Sequence, residues 1–330
     1  RYGWLVTYLF GASATVCKSF MQDYHEHNLE EFDDNTLYLP YATSLRMGDI
    51  GYQNSQEDKK GVKANYNSLR HYIYSLRAAM QTNCDSCEAI GVKKDGEYLQ
   101  LNTNILQIAN EYYSSVRPKP IMNGIDRPLG ALLKGGVGYV ELRSLDVNPL
   151  IKDGINAEQV QFLESFMLFC LLEDSPVVST EQIYEIDINA NLVAHRGREP
   201  NLKLKYNGEE VSLKNWGQSI LNKIAECSAL LSDAHVDSVN QISNRIKNPD
   251  LTPSAQMLNE MKHEEKGFFE YTDQFSHKYQ KLYQNMKIND GYFSELDKLR
   301  TLSFEKQREI ESDDKVSFDQ FLEEYFSSDI

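Results

Sequence analysis

The chain has 330 residues, with 49 acidic residues against 34 basic ones and a formal charge of -15. That balance disfavours nucleic acid as a partner, because a phosphate backbone is bound by clustered Lys and Arg that displace its counterions. A composition of 41% hydrophobic and 25% charged residues excludes a disordered or fibrous chain, and the length suffices for one large domain or two ordinary ones.

The sequence opens at Arg1 rather than Met and enters at once an apolar run, Trp4–Phe10, which reads as a buried strand. It therefore reads as a chain whose beginning is missing. Gly11-Ala-Ser-Ala-Thr15 is a small-residue turn that permits close backbone approach. Val16–Tyr24 reads as a short helix, and the acidic stretch Asp23–Asn35, with His25 and His27, as an exposed loop. Tyr38-Leu-Pro-Tyr-Ala-Thr-Ser-Leu-Arg46 is rich in aromatics and hydroxyls and leads to Gly51-Tyr52. Gln53–Asn65 is polar and long enough to act as a flap. The spacing of Leu69, Ile73 and Leu76 predicts an amphipathic helix over Tyr66–Met80.

Five cysteines show no disulfide-framework spacing. Cys170, in an apolar run, reads as a core thiol. Cys84 and Cys87 form a CxxC without the second pair or His ligands that zinc requires, which leaves a redox pair or two loop thiols. A reduced cytoplasm is the simplest setting. No apolar run approaches the ~20 residues of a membrane span, and no signal peptide is evident.

Ile90–Leu101 reads as a hairpin on Asp95-Gly96, and Arg117-Pro-Lys-Pro120 as an extended segment. Arg117 itself reads equally as a structural or a functional residue. The stretch Lys134-Gly-Gly-Val-Gly-Tyr-Val-Glu-Leu-Arg-Ser-Leu-Asp-Val-Asn-Pro149 alternates as a strand does. A period of two sends Val140 and Leu142 to one face, read as core, and Tyr139, Glu141 and Arg143 to the other. A carboxylate and a guanidinium held two residues apart can carry a metal ion and an anionic substrate side by side; the simpler reading of the pattern is an exposed edge strand on which the two pair with each other. Beyond Pro149, Asn156 with Gln159 marks a capping box for a helix to Leu172 whose later turns read as buried. Successive helices follow over Thr180–Ala194, Leu213–Leu231, Asp237–Ile246, Thr252–Lys262, Phe268–Met286, Tyr292–Ile310 and Ser317–Phe326. The expected organisation is α+β, with a strand-rich 1–150 and a helical support region 151–330 in one continuous domain.

No GxxxxGK[ST], HExxH or GxSxG is present. Arg46, Asn110, Arg117, Glu141 and Arg143, interleaved with Tyr52, Tyr112 and Tyr113, all lie in the first half. The residues alone support a candidate anion-binding site, because the planar guanidinium fork matches carboxylate and phosphate.

Four strings go further: Tyr2-Gly-Trp-Leu-Val-Thr-Tyr-Leu-Phe-Gly-Ala-Ser13, Tyr38–Arg46, Leu106-Gln-Ile-Ala-Asn-Glu-Tyr-Tyr113 and Tyr139–Pro149. With these the chain resembles the proteobacterial glutamate–cysteine ligases, and Asn248-Pro-Asp-Leu-Thr-Pro-Ser-Ala255 extends the likeness into the helical tail. The resemblance implies part of an antiparallel sheet funnel similar to that of glutamine synthetase. It also implies glutamate, cysteine and ATP as substrates, Mg²⁺ as cofactor, a γ-glutamyl phosphate, and a protein that is monomeric when full length. Carried over by motif, Glu141 is a metal ligand and Arg143 faces the transferring phosphate. Arg46 holds a substrate carboxylate, while Tyr52, Tyr113 and Asn110 line the cysteine side. The N-terminal third of that family, with further acidic ligands, has no counterpart here, so the chain alone is expected to be inactive. The rival expectations are a ligase with another amine acceptor and a non-catalytic amino-acid or nucleotide-binding module.

Overall fold

The computed structural model describes residues 1–21, 27–51, 63–122, 127–287 and 289–327. The first third holds α1 (Gly3–Phe10), β1 (Thr15–Cys17), β2 (Glu30–Glu31), β3 (Thr36–Tyr38), α2 (Leu69–Gln81), α3 (Asp85–Ile90), β4 (Lys93–Lys94) and β5 (Glu97–Tyr98). Next come β6 (Val116–Lys119), α4 (Pro128–Gly135), β7 (Tyr139–Leu142), α5 (Ala157–Leu172), α6 (Thr180–Arg196), β8 (Lys203–Tyr206) and β9 (Glu209–Ser212). The remainder is helical: α7 (Leu213–Ser228), α8 (Asp233–Lys247), α9 (Pro253–Glu264), α10 (Phe268–Gln284), α11 (Asp290–Asp313) and α12 (Phe318–Ser327). The fold class is α+β.

Two compact units interleave along the chain. One comprises Arg1–Lys59, Tyr112–Pro118 and Val140–Ser276; the other comprises Lys60–Glu111, Lys119–Tyr139 and His277–Ile330. Both draw residues from before and after residue 150.

In the first unit the core gathers around α1, with Phe162, Phe166 and Phe169 of α5, Ile220 and Ile224 of α7, and Val239 and Ile242 of α8. Residues Trp4–Phe10, expected as a strand, form this α1 helix and are all buried. Periodicity cannot separate a short apolar strand from a helix buried on every side, and here the helix wins. Val16–Tyr24, expected as a helix, instead begins within β1, which pairs antiparallel with β3. A single 3₁₀ turn, Lys18–Phe20, follows. The β-branched Thr15 and Val16 suit that strand.

The capping box at α5 is present, with Asn156 and Gln159 each accepting from the other's backbone N–H. Only one face of α5 is covered. Cys170 is exposed, as are Leu171 at 79% and Leu172 at 60%, so the readings of a core thiol and buried later turns are corrected. The hairpin β8–β9 turns on Asn207 and Gly208, both at positive φ. The reading of this region as successive helices left that hairpin out, although Asn-Gly is a turn signal.

In the second unit α2 packs on α4, burying Ile73 and Leu76 as the helical spacing required. The Asp95-Gly96 hairpin is present as β4–β5, both turn residues having positive φ. Cys84 and Cys87 are joined in a disulfide at the start of α3. No helix among the described residues is long and apolar enough to cross a membrane.

Candidate functional site

The candidate site grows from β7 and the extended segment that continues it, within the first unit. β7 pairs with β6, and the pairing continues where Arg143 N donates to Ser115 O at 2.8 Å. The core-facing assignment of Val140 and Leu142 is corrected: Val140 is 43% exposed and Leu142 half-buried. Farther along, the same alternating face turns inward at Ser144, Asp146 and Asn148, all buried. Period two was right; which part of that face is covered depends on neighbours remote in sequence.

On the opposite face Glu141 and Arg143 are half-buried, and the Glu141 carboxylate oxygen Oε2 is shielded from solvent. The Arg143 guanidinium lies 5.5 Å from the ring centroid of Tyr113, a cation–π contact that restrains a long side chain. Tyr113 remains 45% exposed, so its ring can meet both Arg143 and a solute.

Arg46 joins the same segment from another part of the chain. It sits in a 3₁₀ turn, Leu45–Met47, whose start is capped by the Ser44 hydroxyl accepting from Met47 N. Leu45 N donates to Ser13 O at 2.6 Å, which fastens the turn to the chain leaving α1. At Gly11 a Cβ would stand 2.3 Å from Thr43 O, and at Gly51 one would stand 2.2 Å from Arg46 O. Only glycine admits these approaches. The Arg46 Nε donates to Asp146 Oδ1 at 2.6 Å. Its Nη2 donates to Leu145 O at 2.8 Å and Arg143 O at 3.4 Å.

Asp49, three residues on, is held by α6. Its backbone N donates to Asn191 Oδ1 at 2.9 Å, and its carboxylate lies 2.7 Å from His195 Nε2 and 3.6 Å from His27 Nδ1. The close contact with His195 leads in holding the Asp49 carboxyl below the usual carboxylate range. His27 is thus half-buried rather than wholly exposed; His25 lies outside the described residues.

The structure therefore links Arg46, Tyr113 and Arg143, with Glu141 two residues before Arg143 on the same segment. Tyr52 lies outside the described residues, and Asn110 is an exposed residue of the 3₁₀ turn Ala109–Glu111 in the second unit. Arg117 is buried on β6. Sequence reasoning missed Asp146, Asp49 and His195. Asp146 had a signal: a carboxylate at an inward position of an alternating segment requires a buried partner.

Among the described residues no group of three or more His, Cys, Asp or Glu side chains is arranged to hold a metal ion. Mg²⁺ commonly keeps several waters and takes one or two protein carboxylates together with substrate phosphates. Glu141, with its shielded oxygen, fits that demand as a single ligand.

The scaffold is thus α+β, with Glu141 and Arg143 on one extended segment and Arg46 bound to that segment's backbone and to Asp146. Its fold is that of the Francisella tularensis glutamate–cysteine ligase, a crystal structure in complex with AMP, with a TM-score of 0.91 at 29% identity over 98% of this chain and 64% of that one. A bifunctional glutathione synthetase from Pasteurella multocida shares the fold more loosely, with a TM-score of 0.59 at 19% identity over 86% of this chain and 31% of that one. The family model for glutamate-cysteine ligase matches residues 1–193. Glutamate–cysteine ligases of Pseudomonas paraeruginosa and Pseudomonas entomophila are 40% and 39% identical over 99% of this chain. The chain belongs to the glutamate–cysteine ligase family. It spans 62% of the length of those two relatives.

Proposed function

We propose that this chain contributes one wall of an ATP-dependent site joining the γ-carboxylate of glutamate to the amine of cysteine. A carboxylate is a poor electrophile until one oxygen attacks the γ-phosphorus of ATP, releasing ADP. The amine then attacks the acyl carbon and phosphate leaves. Such transfers depend chiefly on positioning and on preorganised positive charge.

In this reading Arg143, restrained against Tyr113, faces the transferring phosphoryl group. Arg46, whose side chain is 34% exposed, meets a substrate carboxylate, and Tyr113 flanks the cysteine. Glu141 would hold Mg²⁺, which when bound supplies neutralisation of phosphate charge. The roles of Tyr52 and Asn110 in the cysteine pocket rest on resemblance alone. So do the funnel to which β6 and β7 would contribute and the monomeric state of the complete protein, whereas the cytoplasmic setting rests on the cysteine pattern.

The observation that carries the reading is the convergence of Glu141, Arg143 and Arg46 on a single extended segment. The test is cysteine-dependent ADP release by the full-length protein with glutamate, ATP and Mg²⁺. Arg143→Ala is expected to lower kcat by about 10²–10³-fold, as loss of one preorganised charge-stabilising group does. Unchanged kcat would remove Arg143 from the chemistry. Turnover with another amine in preference to cysteine would reassign the acceptor, and nucleotide binding without ADP release would make the protein a binding module.

A further inference from the structure

Asp146 is the most enclosed member of the cluster, with a side chain only 4% exposed. Its two oxygens serve different segments. Oδ2 accepts from the backbone N of Ala12 at 2.8 Å, and Oδ1 accepts from Arg46 Nε at 2.6 Å. Through Arg46 the link runs on to the carbonyls of Leu145 and Arg143. The chain leaving α1, the Arg46 turn and the backbone carrying Arg143 are thus tied together at one carboxylate.

Arginine has large rotamer freedom, and a fork oriented before binding loses less of it when the substrate arrives. An arginine that both meets substrate and braces the segment bearing a second arginine must be held in one orientation to do either. A buried carboxylate on the Nε side supplies that hold, because the guanidinium plane follows from two of its nitrogens being engaged.

We propose that Asp146 is a positioning residue of the ligase site, orienting Arg46 toward the glutamate carboxylate while keeping Arg143 in place. The inference rests on the reading of Arg46 given above and takes the carboxylate it meets as glutamate's. It names a residue that touches no substrate.

The test uses Asp146→Asn in the full-length protein. Asparagine keeps a carbonyl oxygen for Ala12 N–H but loses the charge, and its amide donors oppose those of Arg46, so only one arm of the link breaks. Glutamate KM is expected to rise about tenfold, with kcat falling less, in keeping with the sensitivity of bound-substrate geometry to small misplacements. Cysteine KM stays within about twofold of the parent value if the effect runs through Arg46 alone. Arg46→Ala should raise glutamate KM at least as much, and the double variant should be no worse than Arg46→Ala, because neighbours acting as a unit are non-additive.

Penalties that multiply in the double variant would overturn the proposal, as would unchanged glutamate KM in folded Asp146→Asn. Unchanged glutamate KM in Arg46→Ala would overturn the Arg46 reading together with this inference. An effect of Arg46→Ala without one of Asp146→Asn overturns the inference alone. Should Asp146→Asn fail to fold, Arg46→Lys addresses the same link, since an ammonium keeps the charge but cannot engage Asp146 and two carbonyls with a planar fork. A raised glutamate KM with kcat retained supports the proposal; an unchanged one overturns it.

Discussion

Two aspartate–cation pairs in this chain have the same chemistry and opposite surroundings. In the first unit Asp146 meets Arg46 inside the protein, with backbone groups of Ala12, Arg143 and Leu145 completing the network. In the second, Asp319 of α12 meets Lys93 and the Tyr98 hydroxyl of the β4–β5 hairpin at the surface. The hydrogen bond from Lys93 leads in lowering the Asp319 pKa, and the same bond leads in raising that of Lys93. Yet both groups keep access to water, which screens what they gain. Asp146 has lost most of its water, so its hydrogen bonds replace hydration and cannot be broken without leaving polar groups stranded. Proximity of opposite charges therefore says little; what each charge gives up to be there decides what the pair does.

The sharpest way to break this contrast is Asp146→Ala. It strands the partly buried Arg46 charge and leaves the Ala12 N–H without its acceptor, with an expected loss of about 3 kcal/mol in urea unfolding. A loss below about 0.5 kcal/mol, typical of an ordinary surface substitution, would show that water replaces the carboxylate without penalty. Gly11→Ala presses on the same junction from the other side. Its Cβ would meet Thr43 O at 2.3 Å, and forced separation in a packed region should cost about 2 kcal/mol.

A smaller effect is expected at Asp49, which lies between the two extremes of exposure. Its carboxyl pKa is depressed in the folded protein, first by the close contact with His195. The stability it contributes is therefore present above the ordinary carboxylate value of ~3.9 and lost as pH falls through the lower folded value. His195→Ala should flatten that part of the acid limb in a comparison of urea midpoints between pH 5 and 2. An acid limb identical to the parent's would dissociate His195 from Asp49. The least effect belongs to Asp319→Asn: its thermal midpoint at ~0.15 M salt should match the parent's, as expected for a fully solvated pair. A clear drop would mean that α12 depends on this contact after all.

Much of the helical part was legible. Capping at Asn156 and Gln159, the spacing of Leu69, Ile73 and Leu76, and the Asp95-Gly96 turn are local signals, and local hydrogen bonding enforces them. The strand-like reading of Trp4–Phe10 failed because a run that is apolar at nearly every position, and buried even at Thr7, carries no period. Cys170, Leu171 and Leu172 failed for a related reason: apolar residues on all sides of α5 do not reveal which side a neighbour covers. Of the site, Arg46, Tyr113, Glu141 and Arg143 were visible as residue types in quoted strings. Asp146 lay in one of those strings and went unremarked.

By itself the sequence determined the capped start of α5 and the Asp95-Gly96 turn, the alternation of Glu141 and Arg143 on one face, and the family to which the chain belongs. Each is set by neighbours a few residues apart or by strings long enough to be specific. Only the tertiary structure decided that Val140 stays exposed while Ser144, Asp146 and Asn148 turn inward. It alone showed that Arg46, 100 residues from Asp146, is bound to it. Burial and hydrogen-bond partnership of that kind depend on which distant segments pack together, and no local pattern encodes them.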